Sequence, residues 1–164
     1  MKYIQKKPKK QKVFLNKKVK YNFYIQKTII SGIVLQGWEV KSIRVGRVQL
    51  TSGYININNN EIYLIGVHIQ PLNTIVNSYL CKSDRIRKLL LHKKEIELII
   101  NYIQKKSYTV VPIQLFWHKS WCKIKIGIAK GKSHRDKRLE KKNNSWKIEQ
   151  STIFKRISLK KKNN

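Results

Sequence analysis

Between Tyr108 and Ala129 the chain reads YTVVPIQLFW, then HKS, then WCKIKIGIA. The alternation in the last run decides the fold. Trp121, Lys123, Lys125 and Gly127 fall on one side of an extended chain, and Cys122, Ile124, Ile126 and Ile128 fall on the other. Apolar side chains go in and basic ones go out, as in a half-buried strand. His118-Lys119-Ser120 returns the chain, so the two runs pair as a hairpin. Pro112 cannot donate to a ladder, which predicts an edge position or a bulge there.

Working upstream, the same kind of pattern recurs. YNFYIQKTII and SGIVLQG predict two strands separated at Ser31-Gly32. WEVKSIRVG breaks the alternation: Val40 and Ile43 lie three apart, and Gly46 is placed to end a short helix in the left-handed conformation. In GYINI-NNN-EIYLIGVHI, two alternating runs flank three Asn that turn the chain. From about Ser83 to Lys106 the period becomes helical, with Ile96, Ile99, Ile100 and Ile103 on one stripe. About six short antiparallel strands, with one helix between the two halves, predict a mainly β protein with short helices. The expected architecture is a small antiparallel barrel of oligonucleotide-binding (OB) type. Trp38, Trp117 and Trp121 are expected in its core, with base-stacking platforms as the alternative. Trp146 stands apart among Lys and Asn, where no local core would bury it, and suits docking onto a partner surface. A loose contact with the barrel is the alternative.

The 164 residues carry 37 Lys and Arg against 8 Asp and Glu, a formal net charge of +29. Such an excess repels itself and calls for a polyanion: RNA, DNA or an anionic membrane surface. No apolar run approaches the roughly 18 residues that span a bilayer. The basic start MKYIQKKPKKQKVF lacks the apolar core and cleavage site of a secretory signal. Cys81 and Cys122 are too few for a disulfide framework or a zinc cluster, and read as reduced thiols of a cytosolic protein. Charge gathers at both ends. Residues 1–20 hold nine Lys and no acid, and residues 129–164 hold 13 basic and 3 acidic residues. Nearly all apolar residues lie between. The expected organisation is a basic arm over residues 1–12, a barrel over 13–129, and a basic tail over 130–164 that stays disordered until a partner arrives.

GIAKGKSHRDKR, Gly127 to Arg138, contains fragments of two phosphate-handling signatures. A P-loop needs four residues between its first Gly and Gly-Lys-Ser, but only Ile128, Ala129 and Lys130 separate Gly127 from Gly131. The kinase loop needs a metal-binding Asn five residues after its Asp, where Lys141 stands. Both signatures are accidents. The acids, Glu39, Glu61, Asp84 and Asp136 among them, mark no cooperating pair. His68, His92, His118 and His134 lack metal-ligand spacing.

Five ordered blocks carry a resemblance: LQGWEVKSIRVGRV, RKLLLHKKEI, YTVVPIQLFW, WCKIKIGIAKGK and DKR. Over residues 12–157 the chain resembles the SsrA-binding protein family, also called small protein B or SmpB. The resemblance implies a bacterial, cytoplasmic, non-catalytic RNA-binding adaptor without metal or cofactor. Its OB-fold barrel would bind the tRNA-like domain of transfer-messenger RNA (tmRNA) in trans-translation, the rescue of ribosomes stalled without a stop codon. Its tail, disordered until ribosome-bound, would become helical in the small-subunit decoding centre and empty mRNA channel. Elongation factor Tu would be met indirectly, through aminoacylated tmRNA.

On this resemblance Asn16, Lys17, Tyr21, Lys41, Arg44, Arg87 and Lys88 are candidate tmRNA-facing residues, supplying donors and a stacking ring. A merely solvated basic surface is their alternative. Glu39 joins the set, or serves as a local ion pair for Lys41 or Arg44. Leu90 and His92 match positions implicated in tmRNA binding, and Leu90 reads equally as core. An acidic position of the family is Ile30 here. In the tail, Lys130, Gly131, Lys132, His134, Arg135, Asp136, Lys137 and Arg138 form the expected hinge and decoding-centre anchor. Arg135, preceded by His134, stands where an aromatic or His would stack on a base. Asp136 would orient Lys137 or Arg138, or accept a hydrogen bond from RNA. Trp146, Ile153, Phe154 and Lys155 complete the ribosome-facing set, while Asn143-Asn144-Ser145 weakens helix propensity. The competing reading is a ribosomal or general RNA-chaperone OB-fold protein that threads basic tails into rRNA.

Overall fold

The computed structural model describes residues 12–73, 81–104 and 107–162, with side chains through Phe154 in the final helix. The basic N-terminal arm therefore lies outside the described residues except for Lys12. The chain divides into two compact units, one ending at Gly131 and one beginning at Lys132.

The hairpin that decides the fold forms as its alternation predicts. Strands β8 (Tyr108–His118) and β9 (Trp121–Gly131) pair antiparallel along their whole length. Lys119, at φ 55°, takes the left-handed turn position. The register shifts between Pro112 and Gln114, so both readings of Pro112 hold: it sits at a bulge, and it lies beyond the segment that the edge strand β1 (Val13–Leu15) covers. Ile124, Ile126 and Ile128 point inward and are at most 1% exposed. Each such side chain contributes about 1.5–3 kcal/mol by leaving water. β9 runs to Gly131, past the expected barrel end at Ala129.

On its other edge β9 pairs with β2 (Phe23–Ile33), one continuous strand where Ser31-Gly32 had predicted a break. The small pair marks a change of partner instead. Gly32 faces Lys123 on one side and Leu90 of β7 (Arg87–Leu90) on the other. A Cβ on Gly32 would lie 3.2 Å from the Leu90 Cβ, so glycine is what lets the two strands close together. Ser31 turns inward and donates its hydroxyl to the Leu90 carbonyl at 3.0 Å.

β4 (Tyr54–Asn58) and β5 (Glu61–Ile65) form the Asn-rich hairpin. Asn58 belongs to the strand; the turn is Asn59-Asn60, with φ of 49° and 59°, the two positive angles a type I′ turn requires. The sheet order is β1-β8-β9-β2-β7-β5-β4, and β4 packs back against β8, so the sheet curls into an open barrel. A separate ribbon pairs β3 (Val48–Gln49) with β6 (His68–Ile69).

Helices plug the barrel. α1 (Lys17–Asn22) covers a small outer cluster of Val19, Val111, Ile113 and Ala129. Apolar-in, basic-out therefore fails at that end of β9. α2 (Gly37–Val45) ends at Gly46 in the left-handed conformation, φ 106°, as expected. The run from Ser83 to Lys106 is not one helix. Its first part is strand β7, and α3 begins only at Lys93 and runs to Gln104. Ile99 is buried beneath it, whereas Ile103 is 39% exposed.

The second unit holds α4 (His134–Lys162), 29 residues and about 44 Å long. It crosses Asn143-Asn144-Ser145 without interruption, and every side chain from Lys141 to Phe154 is exposed. Ser133 and Asp136 cap its start: the Asp136 carboxylate accepts from the Ser133 hydroxyl at 2.7 Å and backbone N–H at 3.1 Å. Among the described residues, no helix is long and apolar enough to cross a membrane.

Candidate nucleic-acid interface

The expected RNA-facing residues divide into three structural groups. The first lies in the interior. Glu39 and Arg87 are 0% exposed and form an ion pair at 2.8 Å. The same carboxylate accepts from Arg85 at 2.7 Å and from the Gln36 backbone N–H at 2.7 Å. Arg87 also donates to the carbonyls of Val67, Arg85 and Ser83 at 2.7, 2.8 and 2.9 Å. Burial alone would raise the Glu39 carboxyl; the Arg85 and Gln36 hydrogen bonds and the charges of Arg87 and Arg85 outweigh it and hold the group below the ordinary range. Burial lowers the Arg87 guanidinium against the pull of Glu39. Neither side chain is exposed at the surface of the fold. They are correctly read as the clamp that fastens α2 to β7 and to the segment before it, and Arg85 is the member that sequence reasoning missed. Asn16 is buried as well. It is 6% exposed, its N–H donates to Ile113 at 2.8 Å, and its Nδ2 donates to Leu50 at 3.1 Å. It latches β1 to the barrel.

The second group shares the outer sheet face. Leu90 is 55% exposed, which removes it from the core. It lines a groove with Lys88, His92, Lys93, Lys123 and Ile30. In that groove Lys88 is paired with Glu61, which also accepts from the Tyr63 hydroxyl at 2.5 Å. The Lys88 and Tyr63 hydrogen bonds hold the Glu61 carboxyl below its usual range, and the Glu61 bond raises Lys88. Ile30, at 51% exposure, adds an apolar face to this groove.

A third set lies on the two short helices. Lys17 and Tyr21 are exposed on α1, and Lys41 and Arg44 on α2. The Arg44 guanidinium stacks 5.4 Å from the Trp117 ring centroid, so it serves the barrel wall as well as the surface. Lys12 reaches the α2 C-terminus and donates to the Val45 carbonyl at 2.5 Å, a place that favours a cation. Trp38 and Trp117 pack on the core as expected, but Trp121 is 74% exposed.

In the second unit, Asp136 is occupied by Ser133, whose hydroxyl and N–H hold its carboxyl below the usual range. Its partner is thus a helix cap, where Lys137 or Arg138 had been expected. Lys132 pairs with Glu140 at 2.6 Å. His134, Arg135 and Arg138 are exposed in the first turns of α4, and Trp146, Ile153 and Phe154 are exposed further along it. The Lys155 side chain lies outside the described residues. Among the described residues, no group of three His, Cys, Asp or Glu is placed to hold a metal.

The sequence profile described as "SmpB protein" matches residues 13–156. An SsrA-binding protein of Buchnera aphidicola subsp. Schizaphis graminum is 50% identical over 143 residues, covering 87% of this chain and 88% of the relative. An SsrA-binding protein of Coxiella burnetii is 43% identical over 154 residues, covering 94% and 97%. A solved structure described as "tmRNA-SmpB: a journey to the center of the bacterial ribosome" matches with a TM-score of 0.62 at 31% identity. It covers 77% of this chain and 92% of that one. The likeness bears out the mainly antiparallel, barrel-like architecture expected from the strand pattern. With a profile spanning most of its length and relatives at these identities, the chain belongs to the SmpB family.

Proposed function

We propose that this chain is an RNA-binding adaptor that takes the tRNA-like domain of tmRNA on its barrel and delivers it to stalled ribosomes. The observation that carries this reading is the agreement with SsrA-binding proteins over nine-tenths of the chain. The net charge of +29 supports it, since a polyanion of RNA size neutralises what the fold cannot. The groove supports it too, setting the apolar faces of Leu90 and Ile30 beside Lys93 and Lys123, as unstacked loop bases require. The contribution is binding and positioning, not catalysis, and the working compartment is the bacterial cytoplasm.

The tail, expected from residue 130 and beginning in the structure at Lys132 once β9 has ended, is the ribosomal part of this proposal. It enters the vacant decoding centre and mRNA channel, where Arg135 or His134 stacks on a base and Lys137 and Arg138 meet rRNA phosphates. Its helix has no apolar support in its own unit, so in the free protein it exchanges with disordered forms and is fixed on the ribosome. Elongation factor Tu is reached only through aminoacylated tmRNA.

Affinity capture of the full chain from bacterial cells, followed by sequencing of the recovered RNA, tests the reading. One structured RNA ending in CCA should dominate. Recovery of bulk rRNA fragments without it would instead favour the general RNA-chaperone.

A further inference from the structure

Trp121 was expected inside the barrel and lies outside it, at 74% exposure the most exposed aromatic side chain described in the first unit. The register fixes its surroundings on the outer face. His118 stands opposite Trp121. Lys123 follows, between Phe116 and Gly32, and then Lys125, between Gln114 and Ile30. The two lysines are about 7 Å apart along the strand. β1, β2, β8 and β9 contain no acid, and neither Lys123 nor Lys125 has an ion-pair or hydrogen-bond partner among the described residues. Lys123 also lines the groove beside Leu90. An indole kept in water forgoes one of the largest burial gains available to a side chain. Here it stands at the head of two half-buried lysines without partners among the described residues.

We infer that Trp121, with Lys123 and Lys125, forms a stacking platform for an unpaired nucleotide of the bound RNA, extending the Leu90 groove toward the tip of the β8–β9 hairpin. The chemistry is that of single-strand recognition: a π face for the base and a basic track for the backbone. A second copy of the chain is a poor occupant, because a symmetric contact through this row would set lysines against lysines. The inference rests on the RNA-binding reading above and assigns part of that binding to residues beyond the matched family positions.

The test uses the full chain with Trp121→Ala, Trp121→Phe and the double variant Lys123→Gln/Lys125→Gln. Binding is measured to a short oligouridine, to an RNA duplex of the same length, and to the tRNA-like domain of tmRNA. Trp121→Ala should weaken oligouridine binding by roughly 5- to 100-fold and leave the duplex unchanged. Trp121→Phe should retain most of the affinity. The double lysine variant should weaken both probes and lower the salt slope by about two. Wild-type affinity of Trp121→Ala for oligouridine, or an equal loss on both probes, overturns the platform while leaving the RNA-binding reading intact. A change in oligomeric mass with unchanged RNA affinity also overturns it, in favour of a protein contact. If the wild-type chain binds none of the three RNAs, the broader reading has failed as well.

Discussion

Glu39 and Arg87 meet where water does not reach, and each is the other's charge compensation. Removing Glu39 leaves Arg87 buried and without its counter-charge, so Glu39→Gln should destabilise the barrel by about 3–5 kcal/mol, read from the denaturation midpoint. The pH dependence has a definite sign. The Glu39 carboxyl is held below its ordinary value of 4.5 in the fold, so the unfolded chain binds that proton more readily. Its stabilisation is complete above 4.5 and is lost as pH falls through the lower folded value. The stability gap between wild type and Glu39→Gln should therefore stay level from neutral pH to about 5 and narrow below it; a gap that widens in acid contradicts the clamp. Cys122 gives a second residue-scale test. Burial pushes its thiol up to about 12, leaving almost no thiolate at neutral pH. Alkylation of Cys122, followed by mass spectrometry, should be slow in the native protein and fast after unfolding. None of the Glu39 pairing was legible in the sequence. Lys41 and Arg44 are the nearby cations on the same helix, but two and five positions from Glu39 they miss the i+3 and i+4 spacing. Its partners Arg85 and Arg87 lie 46 and 48 positions away, where only the fold brings them near.

Among the elements, legibility followed periodicity and failed where two periods overlapped. The β8–β9 alternation, the Gly46 helix stop and the Asn-rich hairpin each rest on one local rule. RKLLLH, residues 87–92, obeys two: Arg87 and Leu89 point inward and Lys88 and Leu90 outward, yet the following Ile run imposes a helical stripe on the same window. In the sequence, Leu90 is open between an RNA-facing position and an ordinary core leucine. Strand pairing, which the local pattern cannot show, decides it. Asp136 is a parallel case. Beside phosphate-seeking lysines it looks misplaced, but Ser133 three residues earlier makes it half of a helix cap. Ser133→Ala should cost the tail helix about 1 kcal/mol and lower the helical signal of the second unit in circular dichroism, with thermal unfolding of the barrel unchanged. The far end of α4 has its own expectation. Leu139, Trp146 and Ile153 recur every seven residues and so share one face of the helix, with Phe154 about 100° from Ile153. Aspartate at Ile153 and Phe154 should abolish tagging on stalled ribosomes while tmRNA binding stays near normal. A tail scrambled at constant charge that still supports tagging would reduce this helix to a tether.

For the whole molecule, we propose that charge sets how strongly RNA is held and the barrel surface sets which RNA. If about six phosphates are neutralised, affinity for the tRNA-like domain should fall several hundred-fold or more between 50 and 200 mM salt. A preference over an ordinary tRNA should persist at the higher salt; its disappearance would leave only non-specific attraction. The sequence made the charge and its concentration at the two ends plain, as well as the barrel class. It did not show which cations are consumed by the fold, because burial depends on long-range pairing: Arg87 is paired inside while Lys123 and Lys125, half-buried, have no partner among the described residues. The central claim is that the first unit recognises tmRNA and the second acts on the ribosome. β9 pairs through Gly131 with Phe23, so the informative truncation ends at Gly131 and keeps that strand whole. Its affinity for the tRNA-like domain of tmRNA, measured beside the full chain and paired with a tagging assay on stalled ribosomes, is the most direct measurement. The account predicts that most of the affinity is retained and tagging is lost. A folded truncation that no longer binds the tRNA-like domain would contradict it.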